Sequence, residues 1–307
     1  MRRALRLLLF GKHPALPYGD GFDRADGALG RTWSGATWTI SSNKAINTPT
    51  LGSELIVNGA FASDTVWTKG TDWSITGGAG VRAAGATPNT VISQAVLTTG
   101  VWYRAVFEVI ACVAGSFRPY YNAGYANANL GAPGTSTSSN RATGTAAGVI
   151  AVSAGTDGSV DNASFKALTL SQLFATLDGK QANPLDIAVA ITAHATQAHP
   201  AGLVLNLDSA SVPANFVLAT VDRTGAIKLI KCVAGTYTDV ATGSQSYAAG
   251  GQLRVTKSST SYTVYYNGVE AIAAQTISDA GIVSNTLHGM FSTHESNLLD
   301  NFVLEGA

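Results

Sequence analysis

The sequence predicts an all-β protein made of two β-sandwiches, one inserted into the other. Apolar residues alternate with small or polar ones over short runs, as at Ile187, Val189 and Ile191, which is the period of a strand with one buried face. A closing phrase occurs twice, in residues 158–168 and 299–304, and both copies contain Asp-Asn before an alternating strand. No stretch longer than one turn shows helical periodicity.

The order of opening and closing strands predicts the nesting. Two opening strands are expected near the front, at Asp20–Arg24 and Glu54–Phe61, ahead of the two closing phrases. The order is therefore open, open, close, close. A module of residues 53–169 is predicted to interrupt a second module made of residues 20–52 and 170–307, and residues 1–19 form an N-terminal extended arm.

The composition limits the classes of protein that fit. At 307 residues the chain is long enough for two cores. Charged residues make up 12%, against about 25% in an average globular protein. Cys112 and Cys232 fall in different modules and in apolar strand-like runs, which favours buried free thiols over a disulfide scaffold.

The N-terminal arm carries an uneven charge. Arg2, Arg3, Arg6 and Lys12 precede the first acidic residue, so the arm has a charge of +4 and the rest of the chain, with 19 acidic and 15 basic residues, has −4. Leu7, Leu9 and Phe10 add apolar surface. We interpret the arm as an anchor to an assembly. A disordered leader is the alternative, and a signal peptide is a weaker one because Arg6 interrupts the apolar run.

Strands are expected throughout the inserted module and the second part of the outer one. In the insert they are predicted at residues 91–96, 102–112, 117–121 and 148–153, and the Gly-, Ser- and Asn-rich segment 122–147 is predicted to be a loop. In the outer module, Asn267-Gly268 follows an alternating run and is typical of a two-residue hairpin turn.

Both modules resemble known families at their ends. Phe22-Asp23-Arg24-Ala25-Asp26-Gly27 and the tail Leu299-Asp300-Asn301-Phe302 resemble concanavalin-like (laminin-G-like) jelly rolls, which are common in bacteriophage virion proteins. Leu55, Asn58, Gly59 and Phe61, with Asp161-Asn162, resemble carbohydrate-binding-module sandwiches. Many of those place an acidic calcium ligand after the opening Phe. Ala62 stands there instead, so no metal site is carried over.

The sequence lacks an evident catalytic constellation. Glycoside hydrolysis needs two positioned carboxylates, and none of the five Glu residues has an acidic neighbour two or four positions away. A hydrolase or lyase with scattered carboxylates stays open. His194 and His199 lack the spacing of a metal site or a triad, and no nucleotide-binding fingerprint is present. We expect no enzyme activity and no cofactor.

A cluster of aromatic residues is the candidate carbohydrate site. Tyr120, Tyr121 and Tyr125 lie among Asn residues beside the predicted loop. A flat aromatic ring can pack on the apolar face of a sugar while amides bond the hydroxyl groups. Core packing is the competing interpretation of each ring.

The resemblance and the arm together favour a bacteriophage virion component. We expect a capsid-decoration or head- or tail-surface protein, assembled in the host cytoplasm and anchored to other virion proteins through its arm. It is expected to be a homo-oligomer, with host surface polysaccharide as a further partner and without nucleic acid or membrane partners. The alternative is a secreted or cell-surface lectin-like protein.

Overall fold

The computed structural model describes residues 18–122, 124–125, 129–192 and 198–306. Six residues of the predicted anchor lie outside this range: Arg2, Arg3, Arg6, Leu7, Leu9 and Phe10. The last two residues of the predicted arm do not belong to it, because Tyr18 and Gly19 pair with the final strand of the chain. The arm therefore ends at Pro17.

The described residues form antiparallel strands and almost no helix, so the predicted all-β class is confirmed. The first fourteen strands are β1 (Tyr18–Asp20), β2 (Gly27–Ala28), β3 (Trp38–Ser41), β4 (Lys44–Asn47), β5 (Leu51–Glu54), β6 (Thr68–Lys69), β7 (Trp73–Thr76), β8 (Ala79–Arg82), β9 (Thr90–Ala95), β10 (Trp102–Ala114), β11 (Phe117–Tyr121), β12 (Gly124–Tyr125), β13 (Gly134–Arg141) and β14 (Ala146–Ala151). The others are β15 (Asp157–Leu168), β16 (Phe174–Asp178), β17 (Leu185–Thr192), β18 (Ala201–Leu207), β19 (Phe216–Val221), β20 (Ala226–Val233), β21 (Thr236–Ser244), β22 (Gly251–Ser258), β23 (Ser261–Tyr266), β24 (Val269–Thr276), β25 (Leu287–Ser292) and β26 (Leu298–Glu305). A 3₁₀ turn (Leu170–Leu173) and a helix of one turn, α1 (Ala280–Val283), complete the description, and no described helix is long and apolar enough to cross a membrane.

The strands form four sheets. Sheet I has the order β2-β3-β4-β26-β17-β22-β23-β24, with β1 also on β26, and sheet IV has the order β16-β25-β18-β19-β20-β21. Sheet II has the order β13-β10-β15-β8-β7, with β5 also on β15, and sheet III has the order β12-β11-β14-β9-β6. Sheets I and IV use only residues 18–47 and 174–305, which we call the outer sandwich. Sheets II and III use only residues 51–168, which we call the inserted sandwich.

Each sandwich has its own core. Apolar residues of sheets I and IV, such as Ile187 on β17 and Leu203 on β18, form one buried cluster. Residues of sheets II and III, such as Phe107 on β10 and Val149 on β14, form another. The alternating burial along β22 and β23 follows directly from the alternation in the sequence, since successive side chains of a strand point to opposite faces.

The repeated Asp-Asn phrase marks the same local structure in both closing strands. Asn162 in β15 and Asn301 in β26 have φ of 51° and 48°, a left-handed conformation that Asn tolerates better than most residues. The backbone N–H of each donates to the carboxylate of the preceding Asp, at 2.7 Å and 2.9 Å. The register of each strand with its neighbour shifts at this point. The phrase therefore encodes a β-bulge.

Three strand predictions were wrong. The predicted opening strand Asp20–Arg24 is a strand only at Asp20, the last residue of β1, and residues 21–26 are irregular. Glu54–Phe61 is not a strand beyond Glu54; Ile56 and Phe61 enter the core from an irregular segment instead.

The predicted loop 122–147 contains β13, an eight-residue strand at the edge of sheet II. Its Ser and Thr composition resembles a loop, but Ser138 is buried in the inserted core, with its Oγ 2.9 Å from the Tyr121 hydroxyl, and Ser139 is buried against the outer sandwich beside His199. Burial in the core and at the junction, rather than apolar composition, defines the strand.

One smaller prediction is confirmed, and a second is confirmed in part. Asn267 and Gly268, with φ of 50° and 80°, form the two-residue turn between β23 and β24. Both cysteines are free; Cys232 is buried, whereas Cys112 is only half-buried. Burial raises the pKa of the Cys232 thiol to about 11, so this thiol is held in its unreactive form at neutral pH.

A third apolar cluster joins the two sandwiches. The outward face of sheet IV, including Phe216, Leu218 and Ile230, is buried against Trp102 and Leu168 of the inserted sandwich. Strand β19 is accordingly buried along its whole length. Salt bridges cross the same junction, between Arg104 and Glu295 at 3.1 Å and between Arg141 and Asp239 at 2.6 Å. The inserted sandwich therefore covers a surface that the outer one would otherwise expose.

Removing residues 53–169 tests the nested-domain prediction. We expect the deletion, with Gly52 joined to Leu170 by a short Gly/Ser linker, to leave an outer sandwich that still melts cooperatively. It should bind an apolar dye and self-associate, because the face of sheet IV is then uncovered. Changing Leu218 and Ile230 to Thr in the same variant should reduce both effects, since Thr suits a strand but not an apolar interface. A loss of cooperative melting in both variants would contradict nested folding units.

Candidate functional site

The structure separates the three predicted carbohydrate-binding tyrosines. Tyr121 is fully buried, its ring packs 5.3 Å from that of Phe165, and its hydroxyl donates to the Ser138 carbonyl at 2.9 Å. This buried position rules out stacking on a sugar, so the prediction for Tyr121 was wrong. Its place in the strand explains why: Phe117, Pro119 and Tyr121 are the inward positions of β11.

Tyr120 points away from the core and is half-buried. The register of sheet III pairs it with Tyr125 on one side and with Gly148 on the other, and Gly148 pairs with Ser93. The side chain of Tyr125 lies outside the description. A Cβ at Gly148 would meet the Ile92 carbonyl oxygen at 1.9 Å, so glycine is required there. The predicted site is thus reduced to one described ring on a shallow polar face.

A second group lies on the outward face of sheet I and was not found from the sequence. Tyr265 on β23 and Arg254 on β22 are register partners, and the guanidinium carbon lies 5.3 Å from the centroid of the tyrosine ring. Asp186 on β17 accepts two bonds from Arg254, at 2.7 Å from Nε and 2.5 Å from Nη2. The alternating sequences place the three side chains on this face, because Leu185, Val255 and Val264 occupy the core-facing positions.

The paired charges hold the group in one geometry. The bidentate bond to Asp186, and then its charge, raise the pKa of Arg254 against the opposing effect of partial burial. Planar guanidinium–carboxylate pairs of this kind are directional as well as favourable. The side chains of Arg254 and Asp186 retain 39% and 23% exposure, so both still offer hydrogen-bonding atoms to solvent or to a ligand. We call Tyr265, Arg254 and Asp186 the tyrosine–arginine face.

Small residues form the floor beside this face. Ala188 on β17 is the cross-strand partner of Arg254 on β22. Ala190, two residues further along β17, is the partner of Gln252. On the far side, Asp300 of β26 is bound by Lys44, with 2.5 Å between Nζ and Oδ2. These short side chains therefore lie along β17, between polar residues of β22 and β26, and Asp186 stands at one end of the row.

The sequence carries only part of this signal. Gln252, Arg254 and Thr256 alternate with buried residues, so the sequence of β22 indicates a row of outward polar side chains. The partner carboxylate is 68 positions away in sequence, and no spacing rule relates it to Arg254. The register of sheet I alone brings them together.

A third group lies at the junction of the sandwiches. A cleft lined by Trp102, Arg141, Asp222 and Lys228 among others has a cavity volume of about 40 Å³, which suits roughly two or three water molecules rather than a sugar ring. Beside it, His199 and His294 stack with ring centroids 3.9 Å apart, and Ser139 Oγ lies 2.9 Å from His199 Nδ1. Although Ser and His are juxtaposed, both are fully buried, so a substrate has no access to them.

A metal-binding cluster is not found among the described residues, in which no three His, Cys, Asp or Glu side chains are grouped to hold an ion. The Asp20 carboxylate is engaged in local structure. It accepts from Arg24 at 2.6 Å, from the backbone N–H of Phe22 at 2.8 Å and from the Trp33 indole at 3.0 Å. Despite partial burial, which opposes the change, these bonds lower the pKa of Asp20.

Comparison with known proteins adds only distant likenesses. No family model and no curated protein matches the sequence. Among solved structures, the carbohydrate-binding module CBM66 from Bacillus subtilis is 16% identical over 40% of this chain and 75% of its own, with a TM-score of 0.35. Sheep galectin-11 is 10% identical over 39% of this chain and 87% of its own, with a TM-score of 0.32. CG-16, a homodimeric agglutinin from chicken liver, is 10% identical over 40% and 92%, with a TM-score of 0.30. At this level of likeness these structures do not indicate a ligand.

Proposed function

We propose that this chain is a non-enzymatic saccharide-binding protein, with the tyrosine–arginine face as its binding surface. The supporting observation is the half-buried Tyr265 ring held beside the Arg254–Asp186 pair, next to the small side chains of Ala188 and Ala190. Sheet I supplies the rigid support, since all three side chains stand on paired strands.

The chemistry of the face suits a carbohydrate. One side of a pyranose ring exposes C–H groups, which pack on a flat aromatic ring, while the hydroxyl groups bond to planar polar side chains. Arg254 can donate from its exposed edge, and Asp186 and Gln252 can accept.

Substitutions at Tyr265 test the proposal. Tyr265→Ala is expected to weaken binding to a responsive polysaccharide on a glycan array by tenfold or more, which corresponds to about 1.4 kcal/mol. Tyr265→Phe should retain most of the affinity, because the ring supplies the contact. Tyr247→Ala is the matched control, since Tyr247 also packs under an arginine, Arg223, at 4.5 Å, but on another part of the surface. Equal effects of Tyr265→Ala and Tyr247→Ala would contradict the assignment.

The proposal that the protein is not an enzyme can be tested directly, because the strand register brings two carboxylates together. Asp186 is the cross-strand partner of Glu305, so two carboxylates share this face, which spacing along the chain does not reveal. Asp186 is occupied by Arg254, and we expect no release of reducing ends from β-glucans, capsular polysaccharide or peptidoglycan. Turnover that Asp186→Asn or Glu305→Gln abolishes would show a hydrolase instead.

We further propose that the protein acts on the surface of a bacteriophage particle, as a capsid-decoration or head- or tail-surface component anchored by its N-terminal arm. The support is the arm itself, with four basic and no acidic residues beside its leucines, and the resemblance of the outer sandwich's end motifs to virion modules. Deleting residues 1–17, which spares β1, should leave the melting temperature nearly unchanged and abolish incorporation into particles. Full occupancy by the truncated protein would place the anchor on the sandwiches.

A further inference from the structure

The far end of the inserted sandwich carries a surface that the proposed saccharide binding does not use. Strand β10 is paired with β13 only as far as Val109, whereas its pairing with β15 continues to Ala114. Residues 110–114 therefore extend past the edge strand. In this extension Ile110 is 49% exposed and Val113 is 80% exposed, which is unusual for β-branched residues in a chain that buries most others of this kind.

Carboxylates border this apolar extension. Glu108 and Asp161 are cross-strand partners, and Asp157 is the partner of Ala114. Glu108 accepts a bond from the Asn162 amide at 2.9 Å. Within the part of the chain that the structure describes, the salt bridges engage other carboxylates and leave these three without a basic partner. We call Glu108, Ile110, Val113, Asp157 and Asp161 the acidic ridge.

The N-terminal arm has the complementary composition. Residues 1–17 hold Arg2, Arg3, Arg6 and Lys12 and no acidic residue, and a run from Leu7 to Phe10 is wholly apolar. A leucine-rich strip with interspersed arginines matches an apolar ridge bordered by carboxylates in both hydrophobic contact and charge.

The apolar run Leu7–Phe10 of the same copy is too close to β1 in sequence to reach the ridge. The inserted sandwich meets the outer one at Trp102, and Val113 lies eleven residues further along β10, about 36 Å at the rise of a strand. The arm starts from β1 in sheet I, on the opposite side of the outer sandwich from that junction, which adds about 10 Å. The eleven residues from Tyr18 back to Leu7 span at most about 38 Å when fully extended.

We propose that the N-terminal arm of one copy docks on the acidic ridge of a neighbouring copy, so that the protein self-assembles in a head-to-tail manner. This deepens the anchoring role proposed for the arm and does not depend on saccharide binding. A head-to-tail contact of this kind closes into a ring or continues as an array.

Charge reversal in the purified full-length protein tests the docking. Sedimentation velocity should show an oligomer for the native chain and a monomer after Glu108→Lys with Asp161→Lys, and also after Arg3→Glu with Arg6→Glu. Combining the four changes should restore at least part of the oligomer. Asp23→Lys with Glu270→Lys is the matched control on exposed acidic sites elsewhere, and it should leave the oligomer unchanged.

A cross-link locates the contact. In a Cys112→Ser, Cys232→Ser background, we expect a mixture of Leu7→Cys and Val113→Cys proteins to give a heterodimer with a short bismaleimide. A native chain that is monomeric at all concentrations, an oligomer indifferent to the ridge reversals, or a cross-link that never joins two copies would overturn the proposal. If the purified chain is monomeric and deleting residues 1–17 still abolishes incorporation into particles, the arm anchors to another virion protein. That result excludes docking on the acidic ridge but not the anchoring role of the arm.

Discussion

Trp102→Ala is expected to lower the free energy of unfolding by about 3–5 kcal/mol, the usual cost of truncating a buried tryptophan. Trp102 is 3% exposed, and its ring lies 5.2 Å from that of Phe291 across the junction between the sandwiches. Its removal leaves a cavity against sheet IV and weakens the contact between the two cores. Urea unfolding should therefore occur at lower concentration and should separate into two transitions.

Trp102→Phe provides the control for this effect. It preserves an aromatic contact with Phe291 and should cost less than half as much. A single transition with a change below about 1 kcal/mol in the alanine variant would contradict the role of Trp102, because such a value is typical of a surface substitution.

Acidification from pH 6.5 to pH 4 is expected to remove about 3 kcal/mol of stability through His288. Burial, with the nearby charge of Lys257 adding to it, lowers the pKa of His288 to about 4 from its usual 6.5, against the opposing bond to Gln181 and the charge of Asp178. Nδ1 accepts from the backbone N–H of Asn206 at 3.1 Å, so Nε2 carries the proton donated to the Gln181 carbonyl at 2.8 Å. The folded chain thus holds this ring neutral.

The direction of this pH effect follows from the difference in proton binding between the unfolded and the folded chain. Between pH 6.5 and pH 4 the unfolded chain binds a proton at this position and the folded chain does not, so stability is complete above the window and falls as the pH decreases through it. His288→Gln should flatten this part of the profile, although it costs stability at neutral pH. Against the opposing effect of burial, bonds to Lys180 lower the pKa of Asp178 to about 2, so Asp178 loses its contribution at still lower pH. Identical slopes for the native and His288→Gln proteins would contradict the assignment.

Alternation and turn chemistry were sufficient to predict most of the fold. The strands around Asn267-Gly268 and the two closing strands follow from local residue patterns, because each of these patterns determines the backbone conformation of the segment that contains it. Strand β13 was missed because its serines are buried by polar contacts, Ser138 with Tyr121 and Ser139 with the other sandwich, rather than by an apolar pattern of their own. A contact with residues more than fifty positions away, such as Ser139 with His199, leaves no local pattern.

The candidate site was less predictable for the same reason. Tyr120 and Tyr121 are adjacent in sequence but point to opposite faces of β11, so a cluster of tyrosines along the chain is not a cluster in space. Tyr265, Arg254 and Asp186 are dispersed in sequence and meet through the register of three strands. Composition identified the residue types that a saccharide site needs, but it did not identify which of them share a face.

An NMR titration of the full chain with the best-binding oligosaccharide tests the central proposal most directly. We expect the largest backbone shifts in β17, β22 and β23, at and beside Asp186, Arg254 and Tyr265, and we expect these shifts to be lost in Tyr265→Ala. Shifts confined to sheet III around Tyr120, or to the junction cleft at Arg141, would contradict the tyrosine–arginine face as the binding surface. A chain that shows no shifts with any oligosaccharide at millimolar concentration would contradict saccharide binding itself.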